Sequence, residues 1–224
     1  MLIAFDLDGT LVDSVGDLAA ALDAYLADAG FGPAGVGLVR RIMGAGAHDL
    51  IALSLAEQRI VLSDSEIDDH ARRFLERYQD HDHTRSRLYP DARTVLEGLK
   101  ATTAALAVVT NKPIRPAGRL LAKMGIDGLF DCVIGGDSTP ALKPSPLPLL
   151  AAMAAVGRDA DRTVMVGDSV NDIATARAAG AKVIGCRYGF PRAQADLDGA
   201  DTTILALIEV PEALRRLGFP PAPS

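Results

Sequence analysis

The sequence predicts an α/β fold, a doubly wound parallel sheet carrying an inserted α-helical domain, and three observations support it. Short apolar runs rich in β-branched residues alternate with helical patterns, the arrangement of strands buried on both faces by crossover helices. The first and second runs lie about a hundred residues apart, whereas later ones follow at the spacing of ordinary βαβ units. The long gap holds helical stripes and almost no strand signal, so it reads as an insertion rather than as part of the sheet.

The first strand is Leu2 to Phe5, an unbroken apolar run. The insertion follows. Val15, Leu18, Ala19, Leu22, Tyr25, Leu26 and Ala29 share one helical face that stops at Gly30. Ile67, Ala71, Phe74, Leu75 and Tyr78 share another, opened by the capping-box pattern Ser63-x-x-Glu66. The boundaries expected are a core of residues 1–13 and 86–224 and a helical cap, or lid, of residues 14–85. Strands are then expected at Leu106 to Val109, Cys132 to Ile134, Thr163 to Val166 and Lys182 to Ile184. The helices between them have physical stops: Arg115 to Met124 ends at Gly125, Pro146 to Val156 at Gly157, and Asn171 to Ala179 at Gly180. Pro116 is tolerable only in the first turn of its helix. Residues 220–224 are expected to fray.

Composition narrows the function. The 224 residues carry 23 Lys plus Arg against 29 Asp plus Glu, a net charge of −6, and 49% are hydrophobic. A collagen, a coiled coil and a disordered acidic chain are excluded, and no basic block marks a nucleic-acid footprint. Cys132 and Cys186 form neither a CxxC pair nor a metal spacing with histidine, so both are expected as reduced core thiols. The start MLIAFDLDGT has no basic leader, and the run Leu149 to Val156 is too short for a membrane span. A cytoplasmic protein without nucleic-acid or membrane partners is therefore expected, as a monomer or homodimer.

Chemistry gathers where strands end. The first strand runs into Asp6, Leu7, Asp8, Gly9 and Thr10, at the carboxyl edge where an open α/β sheet holds its ligand. Carboxylates at i and i+2 point to the same side, so both can face one small ligand. Asp168 and Asp172 follow the strand ending at Val166 and can reach the same crevice. Such a cluster of oxygen ligands suits Mg²⁺, which takes one or two carboxylates plus substrate phosphate; Asp172 alone could equally be a favourable charge near a helix N-terminus. Thr110 and Asn111 stand at the mouth of the second strand, and Lys143 precedes a helix start. Taken singly, Thr-Asn-Lys is a weak signal that fits helix capping as well, and a lone loop lysine is usually a solvated group.

These four segments, in this order, resemble the haloacid dehalogenase-like hydrolase superfamily, and most closely its phosphoglycolate phosphatase-like branch with a helical cap. The segments DLDGTLVDS, VVTNK, LKPSP and VGDSVNDI carry the likeness, which spans essentially the whole chain. The resemblance implies a Rossmann-like catalytic core and a Mg²⁺-dependent phosphatase of a small phosphorylated metabolite, with 2-phosphoglycolate the single best substrate. Asp6 would be the nucleophile that becomes an aspartyl phosphate, and Asp8 the general acid and base. Asp6, the Asp8 backbone carbonyl and Asp168 would hold the metal, with Asp172 ordering its water shell. Thr110 and Asn111 would grip the phosphoryl oxygens and Lys143 would balance their charge. The acid at Asp8 separates a phosphatase, whose alkoxide needs a proton, from a dehalogenase, whose halide does not.

Specificity is expected to lie in the cap. In the run Arg40 to His48, Gly44 and Gly46 can bring backbone N–H groups to a substrate carboxylate, and Arg40, Arg41 or His48 can add a charge-assisted bond. His81 and His83 are expected as a solvated hinge. Two other functions remain open: a sugar phosphomutase of the β-phosphoglucomutase kind, and a non-catalytic regulatory protein on the same fold.

Overall fold

The computed structural model describes residues 1–44, 46–190 and 194–219, with residues 194 and 195 described by their backbone alone. Residues 220–224, for which fraying is expected, lie outside the described residues.

Six parallel strands form the sheet in the order β5-β4-β1-β6-β7-β8. They are β1 (Leu2–Phe5), β4 (Ala105–Val109), β5 (Cys132–Ile134), β6 (Thr163–Gly167), β7 (Lys182–Cys186) and β8 (Thr202–Ile204). The five strands expected are present. The sixth, β8, carries two partly exposed threonines at the sheet edge and so gives no apolar run to read. The strand order reverses between β4 and β6, with β1 between them, which puts the carboxyl ends of these three strands around one crevice.

Strand alternation divides the core in two. Ile3, Phe5, Leu106, Val108, Val164 and Val166 face α5 (Ala92–Lys100), α6 (Ile114–Met124) and α9 (Val210–Arg216). Leu2, Ala4, Ala107, Val109, Met165 and Val183 face α7 (Leu147–Val156) and α8 (Val170–Ala178). The strands β1, β4, β6 and β7 therefore bury both faces, which is why their runs read as continuous rather than alternating. Gly125 and Gly157 end α6 and α7 in the left-handed conformation, at φ 66° and 62°. Pro116 falls in the first turn of α6.

Between β1 and α5 the chain makes α1 (Val15–Asp28), α2 (Gly35–Ile42), α3 (Ala47–Glu57) and α4 (Asp64–Tyr78). These pack on one another through Val15, Leu22, Leu26, Val39, Ile51, Leu55 and Phe74, a hydrophobic cluster separate from the two sheet cores. The capping box opens α4, with Ser63 N donating to Glu66 Oε2 at 2.8 Å and Glu66 N to Ser63 Oγ at 3.4 Å.

The chain leaves and returns through a two-strand antiparallel ladder, β2 (Val12–Asp13) with β3 (Arg87–Leu88). Asp17 ties the exit to the return: its carboxylate accepts from the backbone N–H groups of Arg85 and Ser86 and from Ser86 Oγ. These bonds hold the Asp17 carboxyl below its ordinary range against the opposing effect of burial. The expected solvated hinge is corrected at His83, which is 1% exposed and, among the described residues, has no hydrogen-bond partner on either ring nitrogen. Tyr78 and His81 shelter it edge-to-face, at ring-centroid distances of 5.8 and 5.3 Å. Among the described residues no helix is long and apolar enough to cross a membrane.

Candidate active site

The β1–β6 ladder continues one residue past β1, with Asp6 N donating to Val166 O at 2.9 Å. Asp6 is thereby held rigidly at the strand tip. Gly9 follows at φ +90°, and a Cβ there would strike the Asp168 carboxylate; a Cβ on Gly167 would strike the Asp172 side chain. Both glycines let the acidic side chains close in.

Asp6, Asp168 and Asp172, all buried, each bring a carboxylate oxygen within 4.8 Å of the others. Burial raises the Asp6 pKa to about 6, against the attraction of Lys143 and with the help of the Asp172 and Asp8 charges. Burial, then the charges of Asp6 and Asp172, push Asp168 well above its ordinary value. Among the described residues, buried Asp6 Oδ1 has no hydrogen-bond partner, although the Lys143 ammonium lies 2.9 Å away as an ion pair. Converging hard oxygens that repel one another, one of them unbonded, fit a divalent cation.

Neighbouring groups orient the cluster. Asp168 Oδ1 accepts from Thr10 Oγ1 at 2.9 Å, and Oδ2 from Phe190 N at 2.7 Å. Asp172 uses Oδ2 to accept from Ser169 N and Oγ, completing a capping box on α8, and pairs Oδ1 with Lys143 Nζ at 2.6 Å. The two readings of Asp172, helix charge and site charge, thus both describe it. Lys143, following β5 and preceding α7, is 3% exposed. Its ammonium also donates to Val109 O at 2.9 Å. Burial opposes that charge, but Asp172 and Asp6 outweigh it and raise the lysine pKa.

Asp8 lies beside this cluster. It accepts from Ser14 Oγ and, at 3.2 and 3.1 Å on its two oxygens, from Lys112 Nζ. Lys112 also donates to Tyr78 Oη at 2.9 Å. Burial disfavours its charge; Asp8 and Tyr78 reverse the balance and raise its pKa. Lys112 and Tyr78 were not among the candidate residues, because a lysine after a strand reads as a helix cap and a tyrosine in an apolar stripe reads as core.

A cavity of about 220 Å³ opens over these groups. Asp6, Asp8, Thr110, Asn111, Lys112, Lys143 and Ser169 line its sheet side. Leu18, Ile42, Met43, Leu50, Phe74 and Leu75 line the helical side, together with Gly44, Gly46 and Tyr78. Thr110 is buried, and its hydroxyl accepts from Lys112 N at 3.2 Å. Asn111 faces the cavity, but its amide spans the gap between loops: Nδ2 donates to Lys143 O and Gly44 O, and Oδ1 accepts from Lys143 N at 2.8 Å. Those bonds leave it a brace for the Lys143 loop rather than a free hand for phosphate.

Gly44 and Gly46 reach the cavity, but Gly44 turns its carbonyl to the amides of Asn111 and Asn171. Arg41 and His48 do not join the site. Arg41 is exposed, bonded to Gly37 O and paired with Glu57; His48 pairs with Asp68 at 2.7 Å on the outer surface. Arg40 stacks over the Phe190 ring at 4.9 Å and pairs with Asp13. The helical periodicity of α2 sends Arg40 and Arg41 outward while Leu38, Val39 and Ile42 turn in.

The fold is that of an α/β enzyme, with a cluster of carboxylates at the carboxyl edge of its parallel sheet. The chain belongs to the haloacid dehalogenase-like hydrolase family, whose model matches residues 3–186. It is 44% identical to a phosphoglycolate phosphatase of Haemophilus influenzae (strain 86-028NP), over 84% of this chain and 86% of that protein. It is 40% identical to a phosphoglycolate phosphatase of Neisseria meningitidis, over 95% of this chain and 93% of that protein. The solved structure of a predicted phosphoglycolate phosphatase from Haemophilus somnus 129PT superposes with a TM-score of 0.84 at 34% identity, covering 95% and 96% of the two chains.

Proposed function

We propose that the protein is a Mg²⁺-dependent phosphatase that hydrolyses a small phosphate monoester through an aspartyl phosphate on Asp6, with 2-phosphoglycolate as its substrate. The observation that carries the reading is the Asp6 carboxylate, fixed at the tip of β1, with an unbonded oxygen beside Lys143 and two further acids. Asp6, Asp168 and the Asp8 backbone carbonyl would hold the ion, and Asp172 would order its surroundings. When bound, the cation offsets the repulsion between carboxylates and phosphate dianion.

Asp6 attacks phosphorus, and the bond to the leaving alkoxide breaks. Asp8, oriented by Lys112 and Ser14, delivers the proton that the alkoxide takes up, and then draws one from the water that cleaves the aspartyl phosphate. Lys143, neutralised by neither acid alone, holds positive charge beside the transferring group through both steps. Thr110, at the mouth of β4, offers its hydroxyl to the phosphoryl oxygens. The helices of residues 14–85 act as a cap over this centre, and their apolar wall keeps bulk water from the phosphoenzyme.

Curated relatives of nearly the same length are phosphoglycolate phosphatases, and the cavity is smaller than the roughly 300–1,000 Å³ of pockets for drug-sized ligands. Both support a substrate of few atoms over a sugar bisphosphate. The test is phosphate release from 2-phosphoglycolate with Mg²⁺. It should stop with chelator and fall at least about 10³-fold in Asp6→Asn; wild-type rates in that variant would overturn the assignment.

A further inference from the structure

We propose that Asp17, His81 and His83 form a second metal site, where the inserted helices join the sheet domain, and that it takes a cation of the Zn²⁺ class. The site stands apart from the acidic centre around Asp6 and does not depend on the phosphatase reading.

Three ligand atoms meet there: a carboxylate oxygen of Asp17 and a ring nitrogen of each histidine lie within 4.8 Å of one another. Proximity alone would carry little. The second observation is His83, which is 1% exposed and, among the described residues, has no hydrogen-bond partner on either nitrogen. A buried imidazole left unbonded is costly, because nothing replaces the water it gave up. A neutral imidazole keeps a lone pair on one nitrogen, and a cation can use it.

Asp17 divides its two oxygens in a way that suits an ion. Oδ2 is committed: it accepts from Ser86 N and Ser86 Oγ at 2.6 Å each and from Arg85 N at 3.0 Å. Oδ1 has only longer contacts, 3.1 Å to Arg85 N and 3.2 Å to His81 Nε2. That oxygen already faces the His81 ring, so a cation between them needs only the Nε2 proton to move to Nδ1 or to water.

The ligand types select the ion. Two imidazoles and one carboxylate favour Zn²⁺ over Mg²⁺, which prefers oxygen ligands, so the two sites need not compete. Three protein ligands leave a fourth position for water. Besides His81, the charges that act on His83 are the Asp8 and Asp17 carboxylates and the Lys112 ammonium, so negative charge outweighs positive before an ion arrives. Tyr78 stacks on His81 at 5.5 Å and meets His83 edge-on at 5.8 Å, which holds both rings in place. The His81 side chain is 25% exposed, which gives the ion a way in. Asp17 stands in the first turn of α1 and the histidines on the segment that returns after α4. An ion held by all three would clasp the exit of the chain to its return.

The test is equilibrium dialysis of the full-length protein against Zn²⁺, with Mg²⁺ in excess, in wild type, His83→Leu, His81→Phe and Asp168→Asn. Wild type should bind about one Zn²⁺ per chain with a dissociation constant well below about 1 mM. Affinity should fall at least about 100-fold in both histidine variants, more than the loss of an outer-shell partner brings. His81→Phe keeps a ring on Tyr78 at a partly exposed position, and it decides the matter where His83→Leu does not fold. Asp168→Asn, which alters the acidic centre alone, should keep the zinc. Zn²⁺ should also raise the thermal denaturation midpoint of wild type and Asp168→Asn but not of the histidine variants. Zn²⁺ bound equally by wild type and both histidine variants, lost only in Asp168→Asn, or taken up only at millimolar concentration overturns the site.

Discussion

The sheet wall and the helical wall of the cavity are built by opposite chemistry. On the sheet side Asp6, Asp8, Lys112 and Lys143 line the cavity, with Asp168 and Asp172 clustered against Asp6, and each is held by a backbone ladder or a named hydrogen bond. On the helical side seven apolar side chains, with Ala47 the smallest, and one hydroxyl face the same space among the described residues. The charged wall needs fixed positions, because a charge misplaced in a low-dielectric site loses its partner. The apolar wall needs only volume and exclusion of water, and its stability comes from ordinary packing. Damage to the helical wall should therefore appear first as lost stability, and damage to the sheet wall as lost activity.

The largest effect should come from the packed side of that contrast. Phe74 is fully buried and lies 5.8 Å from the Tyr25 ring and 5.5 Å from that of Tyr78. Phe74→Ala should cost about 3 to 5 kcal/mol in chemical denaturation; a loss under about 1 kcal/mol would mean that these helices do not form a core of their own. On the charged side, Thr10→Val removes the bond to Asp168 Oδ1 while keeping the shape. Metal affinity or activity should fall about 10- to 100-fold with little change in melting temperature, and the reverse pattern would break the comparison.

Smaller is the pH effect at the join between the walls. Burial, together with the Lys112 and His81 charges, lowers the His83 pKa from 6.5 to about 4. Between those values the unfolded chain binds a proton that the folded chain refuses, so stability is lost as pH falls from 6.5 towards about 4 and levels off below. Wild type should lose stability relative to His83→Leu as pH falls from 6.5 towards about 4, read from denaturation midpoints across that range; a pH-independent difference would remove His83 from the account. Smallest of all, Arg41→Ala and His48→Ala should leave kcat/KM within about 2-fold, since exposed ion pairs are worth little. A large loss in either would mean that the helical wall closes further than the present arrangement.

How much could be read beforehand follows the same divide. Asp6, Asp8, Asp168 and Asp172 were legible because a parallel sheet aligns strand tips, so residues far apart in the chain converge whenever each follows a strand. The strands of the main sheet were legible for a related reason: burial leaves unbroken apolar runs, and β8, with its two threonines, escaped, as did the two-residue β2 and β3 of the small ladder. Lys112 and Tyr78 were not legible, because their meeting depends on how α4 docks against the loop after β4, and no spacing within either segment encodes that angle. Arg41 and His48 misled for the complementary reason: polar residues near a glycine loop suggest ligand contacts, yet the buried faces of α2 and α3 determine which way they point. Asn111 lies where expected, but the tight approach of the Lys143 loop claims its amide.

The most direct test of the central claim, that the converging acids let Asp6 take a phosphoryl group, is a single-turnover reaction of excess enzyme with phosphorus-labelled 2-phosphoglycolate, quenched in acid within milliseconds. The account predicts label on the peptide that carries Asp6, rising and then decaying as free phosphate appears, and none in Asp6→Asn. Phosphate released in that single turnover with no label on the protein, or with label on another residue, would contradict it.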